Sequence, residues 1–302
     1  MNDLVFLNGN VLPRSRALVS IDDRGFLFGD AVYEVIRSLP GRFIQPERHL
    51  NRLARSLREI SIPAPDLDLL AIATDLLGRN GLDQREALIY LQVSRGAAQR
   101  QHAFPPDSVQ PTVLMTVAAL EPRREQARRG VAAITGPDLR WSRCDIKSVN
   151  LLANVLAAQH ASEAGAFEAI LIRDERVTEA TRSNVFAVID GTLRTHPTGP
   201  FILPGVTREV VMELCGKAAL RVREEAITRN ELARAEELFV TGTTADVMPV
   251  VTLDGRPVGS GRPGPVTRRL SALLASEMGL DGVGAGSRHF DGDATAGLDS
   301  VQ

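Results

Sequence analysis

An α+β fold in two units is predicted from three features of the sequence. Strand-like apolar runs are broken by Asn-Gly and Asp-Gly turns, helical apolar spacings lie between them, and one charged stretch keeps neither period. A chain of 302 residues is long enough for two modest cores. LVFLNGNVLP reads as a hairpin turning at Asn8-Gly9, and AVYEVIRSLPGRFI as two strands separated by Pro40-Gly41. Leu50, Leu53, Leu57 and Ile60, then Leu69, Ile72, Leu76 and Leu77, follow the helical period and predict two helices. LIYLQVS (88–94) and TVLMTVA (112–118) complete the first unit, residues 1–120, as strands. EPRREQARRG, residues 121–130, is charged without an apolar period and reads as the connection to a second unit, 131–281.

In that second unit VAAITG is a strand, and SVNLLANVLAAQHASEAG a helix with Leu151, Leu152, Val155 and Leu156 on one face. EAILIR, NVFAVIDGTLRTH, LFVTGTT and MPVVTLDGRPVG supply strands, with hairpin turns at Asp190-Gly191 and Asp254-Gly255. Helices at about 206–219 and 265–278 complete it. The tail, 282–302, is rich in small and polar residues and is predicted to be disordered. Its DGDATAG segment has Ala296 where a calcium loop needs glycine and Gln302 where it needs a bidentate glutamate, so no calcium site is expected.

Composition narrows the function classes. A net charge of -2 and a charged fraction of 24% argue against nucleic acid or an anionic membrane as partner. The sequence lacks a signal-like start and any run of about 18 apolar residues. Cys144 and Cys215 lack metal-ligand spacing and are too few for a disulfide framework, which predicts a reducing, cytoplasmic setting.

Among 35 basic residues only Lys147 and Lys217 are lysines. Genome composition is the simplest reason for that imbalance, yet a lysine kept against it can be needed as an amine, which arginine cannot supply. Taken singly, Lys147 also fits a solvated surface residue and Glu179 a turn residue. Gly205-Val206-Thr207, before a periodic helix, fits either a plain N-cap or an anion site. Thr241-Gly242-Thr243-Thr244 fits either a polar loop or a second phosphate cradle. Together they match pyridoxal 5'-phosphate, which needs an amine for its aldehyde, a carboxylate for its ring nitrogen and donors for its phosphate.

From LNGN near the start to TRRLSALL near 274, the chain resembles the fold-type IV pyridoxal-phosphate enzymes. That group holds branched-chain aminotransferases, D-amino acid transaminases, aminodeoxychorismate lyases and (R)-selective amine transaminases. The resemblance implies a smaller N-terminal α/β unit and a larger, β-rich cofactor-binding one. It implies that Lys147 forms the Schiff base, that Glu179 pairs with the pyridine nitrogen, and that Leu203 packs on the ring. Arg52 would contact the phosphate with Val206, Thr207 and Thr243.

GDAVYEVIR, with Tyr33, and VSRGAAQRQHAFP, with Arg100 and His102, resemble the D-amino acid transaminase branch. There, Tyr33 of one subunit and the Arg-x-His pair of its neighbour would trap the substrate carboxylate, which implies a homodimer acting on amino acids and 2-oxo acids. Two residues depart from the branch: Arg182 stands where a small residue is common, and Gly242 where serine is. Substrate range is what they put in question. Two other readings stay open, another fold-type IV reaction on the same cofactor and a non-catalytic binding protein on the same fold. His49, His160 and His196 have no metal-like partners in sequence and read as structural, and Lys217 as a solvated helix-end residue.

Overall fold

The structure, a computed structural model, describes residues 3–280; the predicted disordered tail and its DGDATAG segment lie outside them. Strands β1 (Leu4–Leu7), β2 (Asn10–Pro13), β3 (Ala31–Leu39), β4 (Arg42–Phe43), β5 (Ala87–Ser94) and β6 (Thr112–Ala119) form one antiparallel sheet in the order β2-β1-β6-β5-β3-β4. Asn8 and Gly9 both take positive φ in the first hairpin, as a tight two-residue turn between twisted strands requires. Helices α1 (Arg24–Phe28), α2 (Pro46–Glu59) and α3 (Leu69–Asn80) accompany this sheet. The periodic residues Leu53, Leu57, Leu76 and Leu77 are buried against Ile89, Leu91 and Met115 of β5 and β6, so the spacing that predicts the helices is also what binds them to the sheet.

The connection at 121–130 is not bare chain. Arg124–Arg129 form a helix, α4, with no buried residue. Ala127 packs on a core of the second unit, and Glu125 in the first turn pairs with Arg128 and Arg129 in the last, complementing the helix dipole. An apolar period is blind to such a helix.

Beyond it, β7 (Val131–Pro137), β8 (Glu168–Arg173), β9 (Arg176–Ala180), β10 (Asn184–Ile189), β11 (Thr192–Thr195), β12 (Val222–Glu224), β13 (Glu237–Gly242), β14 (Asp246–Leu253) and β15 (Arg256–Pro257) build a second, mixed sheet. Its order is β12-β11-β10-β13-β14-β7-β8-β9, with β15 on β14. Helices α5 (Leu152–Glu163), α6 (Val206–Lys217), α7 (Arg229–Leu232) and α8 (Pro265–Glu277) flank it. One face of the sheet holds a core of Ile170, Val185, Val240 and Met248. The other packs stacked Phe186 and Phe239 rings, 5.0 Å apart, against Val211, Leu214 and Leu270 of α6 and α8. Leu39 and Ile44, from the first sheet's end, join that second core and seat one sheet on the other.

The predicted apolar face of α5 is not packed in the chain: Leu152, Val155 and Leu156 are 73%, 58% and 62% exposed. Among the described residues no helix is long and apolar enough to cross a membrane.

Candidate active site

Where the start of β3 meets the second sheet's loops, Tyr33 N–H donates to the Lys147 carbonyl at 2.9 Å and Val149 N–H to that of Ala31 at 3.1 Å. These bonds hold the irregular segment before α5 alongside β3. They put the half-buried Lys147 in a cleft of ≈ 770 Å³, counted out to open solvent. Tyr33, Arg52, Glu179, Leu203, Val206, Thr207 and Thr243 line the same cleft, although they come from widely separated parts of the chain. Lys147 Nζ lies 4.2 Å from the centre of the Tyr33 ring, which in turn stacks on Tyr90 at 5.7 Å.

One end of the cleft has groups that could hold an anion. Helix α6 starts at Val206 with unpaired N–H groups, and Gly205 before it has no room for a side chain, since a Cβ would lie 2.1 Å from Asn184 Oδ1. Arg52 points its guanidinium here, donating to Glu34 at 2.7 and 2.9 Å and to the Pro204 carbonyl at 3.0 Å. Glu34 is fully buried and also contacts His49 Nδ1 at 2.9 Å. Burial works against the Glu34 carboxylate, but Arg52 and His49 overcome it and bring its pKa down to about 2. His49 is therefore structural, as the sequence suggested, and helps fix Arg52. Thr241 Oγ1 is buried without a hydrogen-bond partner, an unfilled acceptor and donor beside the same end.

Elsewhere in the cleft, Glu179 on β9 is held on both oxygens. Oε2 accepts from Asn184 Nδ2 and Leu203 N–H, each at 3.0 Å, and Oε1 accepts from Arg140 Nη1. Burial pushes the Glu179 pKa up to about 7 despite Arg140. Arg140 is itself gripped by Asp138 at 2.8 and 2.9 Å, with only 5% of its side chain exposed. Sequence reasoning passed over Arg140, Asn184 and Glu34, because one charged or amide residue among many carries no local pattern. Only the fold shows that they grip the residues facing the cleft.

Arg100 and His102 are not in this cleft; both are exposed, on the turn between β5 and β6. Arg182 does reach its rim, with Nε 3.3 Å from Glu168 Oε1 and the guanidinium over Phe167, while half its side chain stays exposed. Gly242 has space for a side chain, since an added Cβ would make only ordinary contacts with Arg182 and Ser183.

An amine, a buried carboxylate and an anion cradle along one cleft, spanning two sheets joined in this order, define a site for a phosphorylated carbonyl cofactor. Residues 31–253 match the family Amino-transferase class IV, and the chain belongs to that family. D-alanine aminotransferase of Bacillus licheniformis is 44% identical over 276 residues, 91% of this chain and 96% of that protein. The D-alanine aminotransferase of Staphylococcus aureus (strain MSSA476) is 40% identical over 271 residues, 88% of this chain and 94% of its own length. Among solved structures, the Escherichia coli branched-chain amino acid aminotransferase superposes with a TM-score of 0.84 at 26% identity, covering 92% of this chain and 95% of that one. A hypothetical aminotransferase from Mycobacterium tuberculosis, in a PLP-bound form, matches with a TM-score of 0.77 at 25% identity, covering 92% and 99%.

Proposed function

We propose that this chain is a pyridoxal-phosphate-dependent transaminase that moves the amino group of a D-amino acid, such as D-alanine, to a 2-oxo acid, such as 2-oxoglutarate, in a ping-pong sequence. The observation that carries the reading is Lys147 and Glu179 facing one cleft with an anion cradle, in a chain 44% identical to a D-alanine aminotransferase. The orphaned Thr241 hydroxyl and the uncapped N–H groups at the start of α6 suit a phosphate, so the residues fit the cofactor.

When bound, pyridoxal phosphate supplies an aldehyde for amine exchange and a ring that accepts the electrons released at the substrate Cα. The chain's own residues do the rest. Arg52, Val206, Thr207 and Thr243 would anchor the phosphate, and Leu203 would back the ring. Glu179 would keep a proton on the ring nitrogen. Lys147 would hold the cofactor through its amine, and the same amine would serve as the general base at the substrate Cα. Tyr33 faces the substrate from the same chain, while Arg100 and His102 of a second copy bind its carboxylate, the arginine as a planar fork. Two features support a homodimer: the exposed apolar face of α5 beside the cleft, and the position of Arg100 and His102 outside it.

The same reading divides the chain into units 1–120 and 131–281 joined through 121–130, in keeping with two sheets that share no strand. It sets the enzyme in the reducing cytoplasm, which suits the two buried free thiols. The deciding experiment follows pyruvate from D-alanine and 2-oxoglutarate with cofactor-loaded protein, with L-leucine and L-alanine as parallel donors. Turnover with D-alanine alone is expected. Turnover confined to L-leucine would leave the family intact and replace the reaction with that of the branched-chain enzymes.

A further inference from the structure

An exposed turn is a poor mount for groups that must meet a substrate carboxylate at a set distance. The turn carrying Arg100 and His102 is nevertheless tied down from below, mostly through its main chain. Arg24, the first residue of α1, is only 3% exposed. Its Nη1 donates to the carbonyls of Gln101 at 2.6 Å and Ala103 at 3.3 Å, and its Nη2 donates to that of His102 at 3.4 Å. Its Nε donates to Asp30 at 2.8 Å.

Asp30 is shared with a second guanidinium: Arg95 donates to it from Nε at 2.8 Å and from Nη2 at 3.0 Å. Arg95 also lies 3.7 Å over the Phe104 ring, gripping the turn just past His102. Burial opposes ionisation of Asp30, and the two arginines outweigh it and hold the carboxyl below its usual range. At the other end of α1, Phe28 lies 5.5 Å from the His102 ring and 5.2 Å from the Arg100 guanidinium.

The chemistry of this clamp is selective. Bonds to backbone carbonyls fix the path of the turn and use none of the trap's own side-chain donors. A buried charge-assisted network keeps that path in one arrangement, because releasing either partner strands a charge away from water. The short α1 is itself locked, with Asp23 capping it through Gly25 N–H at 2.8 Å and Gly29 ending it at φ 68°. Asp30 directly precedes β3, so one hub ties the turn to the strand that carries Tyr33.

We propose that Arg24, backed by Asp30 and Arg95 and by the Phe28 ring, is a positioning residue of the substrate-carboxylate trap. It sets where Arg100 and His102 stand. The inference rests on the reading that these two bind the carboxylate.

The test uses the full-length, cofactor-loaded enzyme and the variants Arg24→Met, Arg100→Ala and their combination. Arg24→Met raises the KM for D-alanine about tenfold with kcat within about twofold, as misplacement of a binding group should. Cofactor absorbance and retention stay at the parent level. The double variant is no worse than Arg100→Ala, because Arg24 acts only through the trap. Arg24→Lys, with fewer donors, lies between parent and Arg24→Met. An unchanged KM in Arg24→Met beside a raised one in Arg100→Ala overturns the clamp and spares the trap. Full additivity in the double variant overturns it too. An unchanged KM in Arg100→Ala sinks the trap reading, and the clamp with it. If Arg24→Met does not fold, Phe28→Leu still loosens the turn's seat and is expected to raise the KM about threefold. No change there would assign α1 to folding alone.

Discussion

The cleft has two ends, and they are built differently. At the cofactor end every proposed contact comes from one chain, and the two charged side chains beside the lysine are held by buried partners: Arg52 by Glu34, Glu34 by His49, Glu179 by Arg140 and Asn184. At the substrate end one chain offers Tyr33 alone, while Arg100 and His102 face outward on a turn fixed by its backbone. The cofactor can thus be gripped by a finished surface, whereas the proposed substrate contact is finished only by a neighbour. A phosphate and a ring that stay bound tolerate a rigid cradle, while substrates must enter and leave each cycle.

Four outcomes would break or sharpen that contrast. Lys147→Ala is expected to lower turnover by about 10⁴-fold or more, since both amine binding and proton transfer go with it. A variant with parent-like single-turnover rates would refute the assignment. Arg100→Ala is expected to cut kcat/KM for D-alanine by about 10²-fold, the worth of a lost charge-assisted pair, while cofactor affinity by equilibrium dialysis stays the same. Equal losses in both would erase the distinction between the ends. Leu152→Asp with Leu156→Asp sets charges into the exposed α5 face and is expected to weaken dimerisation about tenfold by sedimentation, with activity per chain falling as the dimer dissociates. A stable dimer after that change would move the interface elsewhere.

The smallest effect concerns pH. Glu34 titrates near 2 in the folded chain against an ordinary 4.5, so its contribution to stability is present above about pH 4.5 and is lost as the pH falls towards 2. That limb amounts to about 3 kcal/mol at most. Glu179 has the opposite sign in the cofactor-free protein: raised to about 7, it favours folding below about pH 4.5 and loses that contribution as the pH rises through 7. Denaturant titrations of Glu34→Gln should show a smaller acid limb and keep the neutral one. Cofactor affinity in that variant is expected to fall a few-fold, because Arg52 loses its guide. An intact acid limb would assign the acid sensitivity to other carboxylates.

Much of the architecture was legible in the sequence, because hairpin turns and apolar spacings are local signals. Asn8-Gly9, Asp190-Gly191 and Asp254-Gly255 sit at hairpin turns, and the Leu53, Leu57, Leu76 and Leu77 series is buried as its period implies. Less legible were elements held by something other than a period. Helix α4 has one apolar contact, Ala127, beside its Glu125–arginine pairs, and α7 relies on a capping box between Thr228 and Glu231 whose spacing is visible only to an eye seeking it. Leu152, Val155 and Leu156 show the reverse case, a helical apolar face with no partner inside the chain. At the cleft, residues that face it could be named through resemblance, but those that aim them could not. Arg140, Glu34 and Arg24 act through distant backbone or side-chain groups, and sequence order does not report such distances.

The scarcity of lysine has a practical side. Lys217 ends α6, 62% exposed and paired with Glu277, and Lys147 is the only other side-chain amine in the sequence. Helix α6 begins at the cleft, so by its rise the tip of Lys217's segment lies about 16 Å from the anion cradle. With Lys147 engaged as proposed, amine-directed coupling to a surface or a dye would find one side chain per chain besides the terminal amine. That side chain lies on the end of α6 that faces away from the site.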